Sequence, residues 1–245
     1  MSPTPPTDAV EIGTFAKIAS PHVIELLGLS GLDFAVIDAE HAPIGIDQID
    51  LLMLAGRAVG LPLCVRVPDQ LPATLLRVLD TGAAGVLVPH VDSAEQAAAV
   101  VGACRYRRGT RGYSGSTRFA GYGTQGMRAT LDAADDVLVM CQIESVQAVQ
   151  ACADIAATPG VDGVFVGRAD LALSMGLESA QAPEVLAATQ TVIRAGLAHG
   201  KRVGVLVNSL DEREAYARQG VTWFIQGSDQ GLLLQGARSL VPAHR

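Results

Sequence analysis

Eight short, almost wholly apolar runs recur along the chain, separated by longer stretches with helical periodicity. They are 11–18 (EIGTFAKI), 34–40 (FAVIDAE), 63–68 (LCVRVP), 85–91 (GVLVPHV), 138–144 (LVMCQIE), 163–168 (GVFVGR), 202–207 (RVGVLV) and 223–227 (WFIQG). Continuous apolar character over so few residues suits parallel strands covered on both faces, because helical crossovers hide both sides of a parallel sheet. The intervening segments carry helix boundary signals. Ser93 stands three residues before Gln96 in capping-box spacing, and Gly60, Gly82, Gly200 and Gly220 fall where helices should stop. Eight strand–helix units close naturally into a (β/α)8 TIM barrel, and 245 residues accommodate one as a single domain, 1–245. A doubly wound open sheet is the competing architecture; it would more often carry a glycine fingerprint after its first strand, which is absent. Residues 1–10 are expected to form a flexible N-terminal tail, and 105–136 an irregular Arg- and Gly-rich insertion.

Composition narrows the function classes. A net charge of −7 disfavours nucleic acid as a partner. No apolar run is long enough to cross a membrane, and the polar, Pro-rich start does not read as a secretion signal. Cys64, Cys104, Cys141 and Cys152 lack metal or redox spacing. They read as reduced, mainly buried thiols of a cytoplasmic protein.

Active sites of such barrels lie at the C-terminal strand ends, so polar residues ending apolar runs are informative. Asp38, Glu40 and His41 follow the second run and Arg66 lies in the third. His90 ends the fourth, Gln142 and Glu144 the fifth, and Arg168 and Asp170 follow the sixth. Glu144 and Asp170 are either a carboxylate pair around a hard cation or simply caps of the helices they precede. The glycine before the helix start in GVFVGRADL leaves backbone amides for a small carboxylate, or is an ordinary turn. His41 is a candidate base, or a structural histidine, and Asp80 a candidate partner for it. Arg66, a guanidinium inside an apolar run, calls for an anion. Lysine is scarce: only Lys17 and Lys201 occur, and a Schiff-base mechanism would depend on Lys17.

The segments DFAVIDAEHAPIG, VRVP, LDTGAAGVLVPHVDSAEQA, RYRRGTRGY, QIES and PGVDGVFVGRADLALSMG, in this order, resemble the HpcH/HpaI aldolase family, the class II pyruvate aldolases. The resemblance implies a barrel, commonly a homohexamer, whose last helix is exchanged between subunits. It implies that Glu144 and Asp170 hold a divalent cation (Mg2+, Mn2+ or Co2+) with Gln142 beside them. Pyruvate would lie on that cation and on backbone amides around Gly167, Ala169 and Asp170. Arg66 would contact its keto oxygen, and His41 and Asp80 would form the base dyad, with Asp38 close by. The reaction implied is reversible cleavage of a 4-hydroxy-2-oxoacid to pyruvate and an aldehyde. Oxaloacetate decarboxylation through the same enolate, or a non-catalytic oxyanion-binding barrel, are the rival readings. The chain departs from the family pattern at Arg168 (usually Pro), His90 (usually apolar) and Ala42 (usually Gly). Arg168 and His90 are expected to border the pocket and bear on the choice of acceptor.

Overall fold

The computed structural model describes residues 9–241. Of the expected N-terminal tail, only Ala9 and Val10 lie among them, both exposed. Strands and helices alternate: β1 (Glu11–Ala16), α1 (Pro21–Leu29), β2 (Phe34–Asp38), α2 (Ile46–Val59), β3 (Leu63–Arg66), α3 (Pro72–Asp80), β4 (Gly85–Val88) and α4 (Ala94–Cys104). After a 3-10 turn at Gly121–Gly123 come α5 (Met127–Asp135), β5 (Leu138–Ile143), α6 (Val146–Ala157), β6 (Gly163–Val166), α7 (Arg168–Ser174) and α8 (Pro183–Ala198). The chain continues with β7 (Arg202–Val207), α9 (Leu210–Ala217), β8 (Trp223–Ser228) and α10 (Asp229–Ser239). The strands are parallel and adjacent in sequence order, and β1 pairs with β8 to close the barrel. All eight expected strands are present. The 105–136 insertion is more ordered than expected, because it contains α5, whose short polar sequence buries only Thr130 and Ala134.

Two cores follow from the two faces of each strand. Outward-facing residues such as Ile37, Val65, Val86 and Val166 pack against the helices. Inward-facing Phe15, Phe34, Val36, Cys64, Leu87, Met140, Phe165, Trp223 and Ile225 fill the barrel. Trp223 is the centre of this plug, stacked on Phe34 (centroids 4.3 Å apart) and edge-on to Phe165 (5.9 Å). Gly204 leaves room for it, since a Cβ there would lie 2.7 Å from the Phe165 ring and 2.9 Å from that of Trp223. Truncating a buried aromatic of this kind typically costs about 3–5 kcal/mol.

The boundary signals operate largely as read. Gly60, Gly82, Gly200 and Gly220 all have positive φ at helix ends. The Ser93 hydroxyl accepts the Gln96 amide proton, while the Gln96 side chain accepts from Asp92, one residue before the cap. All four cysteines are free and buried, and burial pushes Cys64, Cys104 and Cys141 up to about 12. No helix among the described residues is long and apolar enough to cross a membrane.

Candidate functional site

Strand parity builds the site. Side chains alternate along a strand, so residues two beyond an inward core residue also face the barrel axis. Phe15 is followed in this way by Lys17, Val36 by Asp38 and Glu40, Cys64 by Arg66, Met140 by Gln142 and Glu144, and Phe165 by Gly167. The plug thus gives way to a ring of polar groups at the C-terminal ends of the strands.

On the β1–β2–β3 side, register places Asp38 beside Arg66. Arg66 donates through Nε to Asp38 Oδ1 (2.9 Å) and through Nη2 to Oδ2 (2.7 Å), and Lys17 Nζ lies 2.8 Å from Oδ2. Oδ1 also accepts from the amides of Glu40 and His41, which fixes the turn leaving β2. Burial alone would raise the Asp38 carboxyl; hydrogen bonds from Arg66 and Lys17 outweigh it and hold it at about 2. Arg66 Nε also lies 3.4 Å from Glu40 Oε2, so on this side two cations are balanced by two carboxylates. The Arg66 guanidinium stacks 4.4 Å above the Phe15 ring, which orients its planar fork.

The β4–β5–β6 side has the opposite character. Glu144 is buried, and its Oε2 accepts from Gln142 Nε2. Its Oε1 accepts the His90 backbone amide (2.8 Å), and His90 Nδ1 lies 3.1 Å from the same oxygen. His90 Nε2 in turn is 3.3 Å from Glu40 Oε1. Burial raises the Glu144 pKa; the Gln142 and His90 hydrogen bonds and His90 itself oppose this, while the Glu40 carboxylate adds to it. No Lys or Arg pairs with Glu144 among the described residues. Gln142 Oε1 is buried without a hydrogen-bond partner, and Glu40 Oε2 has only ion-pair contacts, with Arg66 Nε at 3.4 Å and His41 Nε2 at 3.6 Å. Buried oxygens in excess of donors cost energy unless something positive meets them, so the donor set fits a hard divalent cation. Gly167 is required beside it: a Cβ would come within 2.7 Å of Glu144 Oε2.

Other expected residues are placed differently. Asp170 sits half-buried in the first turn of α7, without an ion pair among the described residues, and Ala169 beside it is exposed. His41 is exposed, with Nε2 3.6 Å from Glu40 Oε2. Asp80 accepts instead from Arg111 Nη2 (2.8 Å), whose guanidinium is buried between the Tyr106 and Phe119 rings, 4.5 Å from each. His41 and Asp80 therefore do not meet within this chain. Arg168 corrects an expectation: its guanidinium turns away from the mouth, donating to Glu212 Oε1 (2.7 Å) and the Leu206 carbonyl (2.6 Å). Parity explains this, because a residue adjacent to inward Gly167 must face outward. Glu40, on the inward parity of β2, was placed at the rim by the sequence but given no role there; the structure sets it between Arg66, His41 and His90.

The chain is similar to known proteins along nearly its whole length. Residues 11–236 match the model of the family described as HpcH/HpaI aldolase/citrate lyase. A 5-keto-4-deoxy-D-glucarate aldolase of Klebsiella pneumoniae is 38% identical over 238 residues, covering 96% of this chain and 93% of the relative. Among solved structures, an HpcH/HpaI aldolase/citrate lyase family protein from Burkholderia cenocepacia superposes with a TM-score of 0.90 at 33% identity, covering 95% of this chain and 93% of that one. The citrate synthase SbnG gives 0.87 at 30% identity, covering 95% and 92%.

Proposed function

Because the chain belongs to the HpcH/HpaI aldolase/citrate lyase family, we propose that it is a divalent-cation-dependent aldolase releasing pyruvate and an aldehyde from a 4-hydroxy-2-oxoacid. The observation that carries this reading is the divided rim, in which Lys17 and Arg66 pair with Asp38 and Glu40, while Glu144 beside Gln142 has no Lys or Arg partner among the described residues. Bond cleavage beside a ketone needs both, one side to receive negative charge and the other to hold a cation.

Glu144 and Asp170, with Gln142 alongside, would hold Mg2+, Mn2+ or Co2+. When bound there, the cation supplies Lewis-acid polarisation of the 2-oxo group. Arg66 presents fixed positive charge to the oxygen that becomes anionic as the C3–C4 bond breaks, and it is already oriented by Asp38 and Phe15. Gly167 and Ala169 offer backbone amides to the substrate carboxylate. His41 takes the C4 hydroxyl proton. Glu40 is the carboxylate that this chain places near His41, while Asp80 steadies the insertion through Arg111. The substrate class follows the relatives: a sugar-acid 2-oxoacid whose aldehyde fragment carries hydroxyl and carboxylate oxygens.

Quaternary structure and location complete the proposal. Helix α10 is anchored at its start, where Asp229 accepts the Lys17 and Ile18 amides, yet Leu232, Leu233 and Leu234 are exposed beyond it. Leu26 and Leu29 of α1 are also bare. An exchanged last helix in a homohexamer would cover such surfaces. Four buried reduced thiols suit the cytoplasm.

The test is pyruvate release from 4-hydroxy-2-oxoacids with and without chelator. Aldehyde stoichiometric with pyruvate, lost on chelation and restored by Mn2+, is expected. Full activity in chelator, or borohydride trapping of pyruvate on Lys17, would overturn the reading.

A further inference from the structure

We infer that His90 is a nitrogen ligand of the cation beside Glu144, with Glu40 fixing the imidazole from behind. The inference rests on the cation proposed above and adds a residue and a metal preference to it.

Four observations converge. His90 Nδ1 is 3.1 Å from Glu144 Oε1. Neighbouring ligands of an octahedral ion with bonds of about 2.1 Å stand about 3 Å apart, so one cation can take both atoms. The second ring nitrogen faces Glu40 Oε1 at 3.3 Å. A metal-bound histidine characteristically donates its other N–H to a carboxylate, which fixes tautomer and ring plane. Backbone geometry is the third: His90 holds φ at +57°, sparsely populated by non-glycine residues, and thereby turns inward a side chain that strand parity would send outward. Glu40, His90 and Glu144 each bring one ligand atom within 4.8 Å of the others. Independently, a neighbouring acceptor is unsatisfied. Gln142 Oε1, on a residue 1% exposed, lacks a hydrogen-bond partner, whereas Glu40 Oε2 is met by Arg66 Nε at 3.4 Å. Such buried oxygens are rare in folded proteins, and this one belongs to the side chain that donates to Glu144 Oε2.

An imidazole changes which ion is preferred. All-oxygen sites suit Mg2+, whereas nitrogen donors favour later first-row ions. This chain should therefore bind Co2+ or Ni2+ more tightly than Mg2+ by a margin that His90 supplies.

The experiment is pulsed EPR on the intact protein loaded with Mn2+, with titrations of Co2+ and Mg2+ by calorimetry. Nitrogen coupling to Mn2+ is expected, changing in the manner of 15N when histidine is 15N-labelled. His90→Asn, which tolerates the left-handed backbone, should abolish the coupling. It should also weaken Co2+ at least about tenfold, the scale at which supporting groups act on metal affinity, and alter Mg2+ much less. Mn2+ binding without nitrogen coupling overturns this inference and leaves the aldolase reading standing. Coupling that survives in His90→Asn also overturns it. No Mn2+ binding at all overturns both.

Discussion

The two sides of the rim are both built from buried charge, yet only one is complete in itself. Around Asp38 every carboxylate oxygen is engaged, by Arg66, Lys17 or backbone amides. Around Glu144 the partners are two amides and an imidazole, no Lys or Arg pairs with it among the described residues, and the neighbouring Gln142 Oε1 goes unmatched. The contrast separates what folding can preorganise from what it must leave for a ligand. An arginine can be fixed in advance because its carboxylate partner folds with it. A cation site must remain a surplus of oxygens until the ion arrives, at a standing cost that binding repays.

The sharpest way to break this division is on the acidic side. Glu144→Gln should lower turnover at least about a thousandfold, since Lewis-acid stabilisation amounts to several kcal/mol. It should also erase the rise in melting temperature that Mn2+ produces in the parent. A variant that still gains stability from Mn2+ would place the ion elsewhere.

Arg66→Ala tests the other side. Turnover should fall at least about a hundredfold, as when one oxyanion donor is lost, while Mn2+ affinity by calorimetry stays near that of the parent. If affinity collapses along with rate, the two sides are one unit and the division fails.

Arg168 acts on neither side directly. Its bonds to Glu212 and the Leu206 carbonyl tie the start of α7 to β7 and α9. Arg168→Ala should loosen Gly167, Ala169 and Asp170 together, lowering aldol cleavage and oxaloacetate decarboxylation in parallel, by up to about a hundredfold. A change in aldehyde ranking with decarboxylation intact would instead put the guanidinium back in the mouth.

The smallest effect concerns pH. Asp38 is held at about 2, below its ordinary 3.8, so the folded state favours its charged form. The resulting stability is present above the ordinary value and is lost as pH falls toward about 2. Melting curves from pH 5 to pH 2 should show a shallower decline for Asp38→Asn than for the parent. Parallel declines would mean that another group governs acid stability.

The barrel was legible because its eight strands are short, buried and almost wholly apolar up to their ends. Most of the rim was legible for the related reason that a charge ending such a run has few places to go. What escaped depended on direction and register. Arg168 was expected at the mouth although its parity beside Gly167 sends it outward. His90 was noticed only as a departure, since its contact with Glu144 depends on the β4–β5 register and on a left-handed backbone that no residue type announces. His41 and Asp80 belong together in the resemblance, yet here Asp80 is taken by Arg111 from the insertion. Helix α5 was missed because its nine residues bury only a threonine and an alanine.

The Phe15 ring beneath Arg66 joins the plug of the barrel to its chemistry. A lineage adapting to heat and one adapting to a harder substrate would therefore both meet selection at this side chain. Replacements that repack the plug would also retilt the guanidinium, so thermal adaptation in this enzyme should leave a trace in catalytic rate even where every polar residue is unchanged.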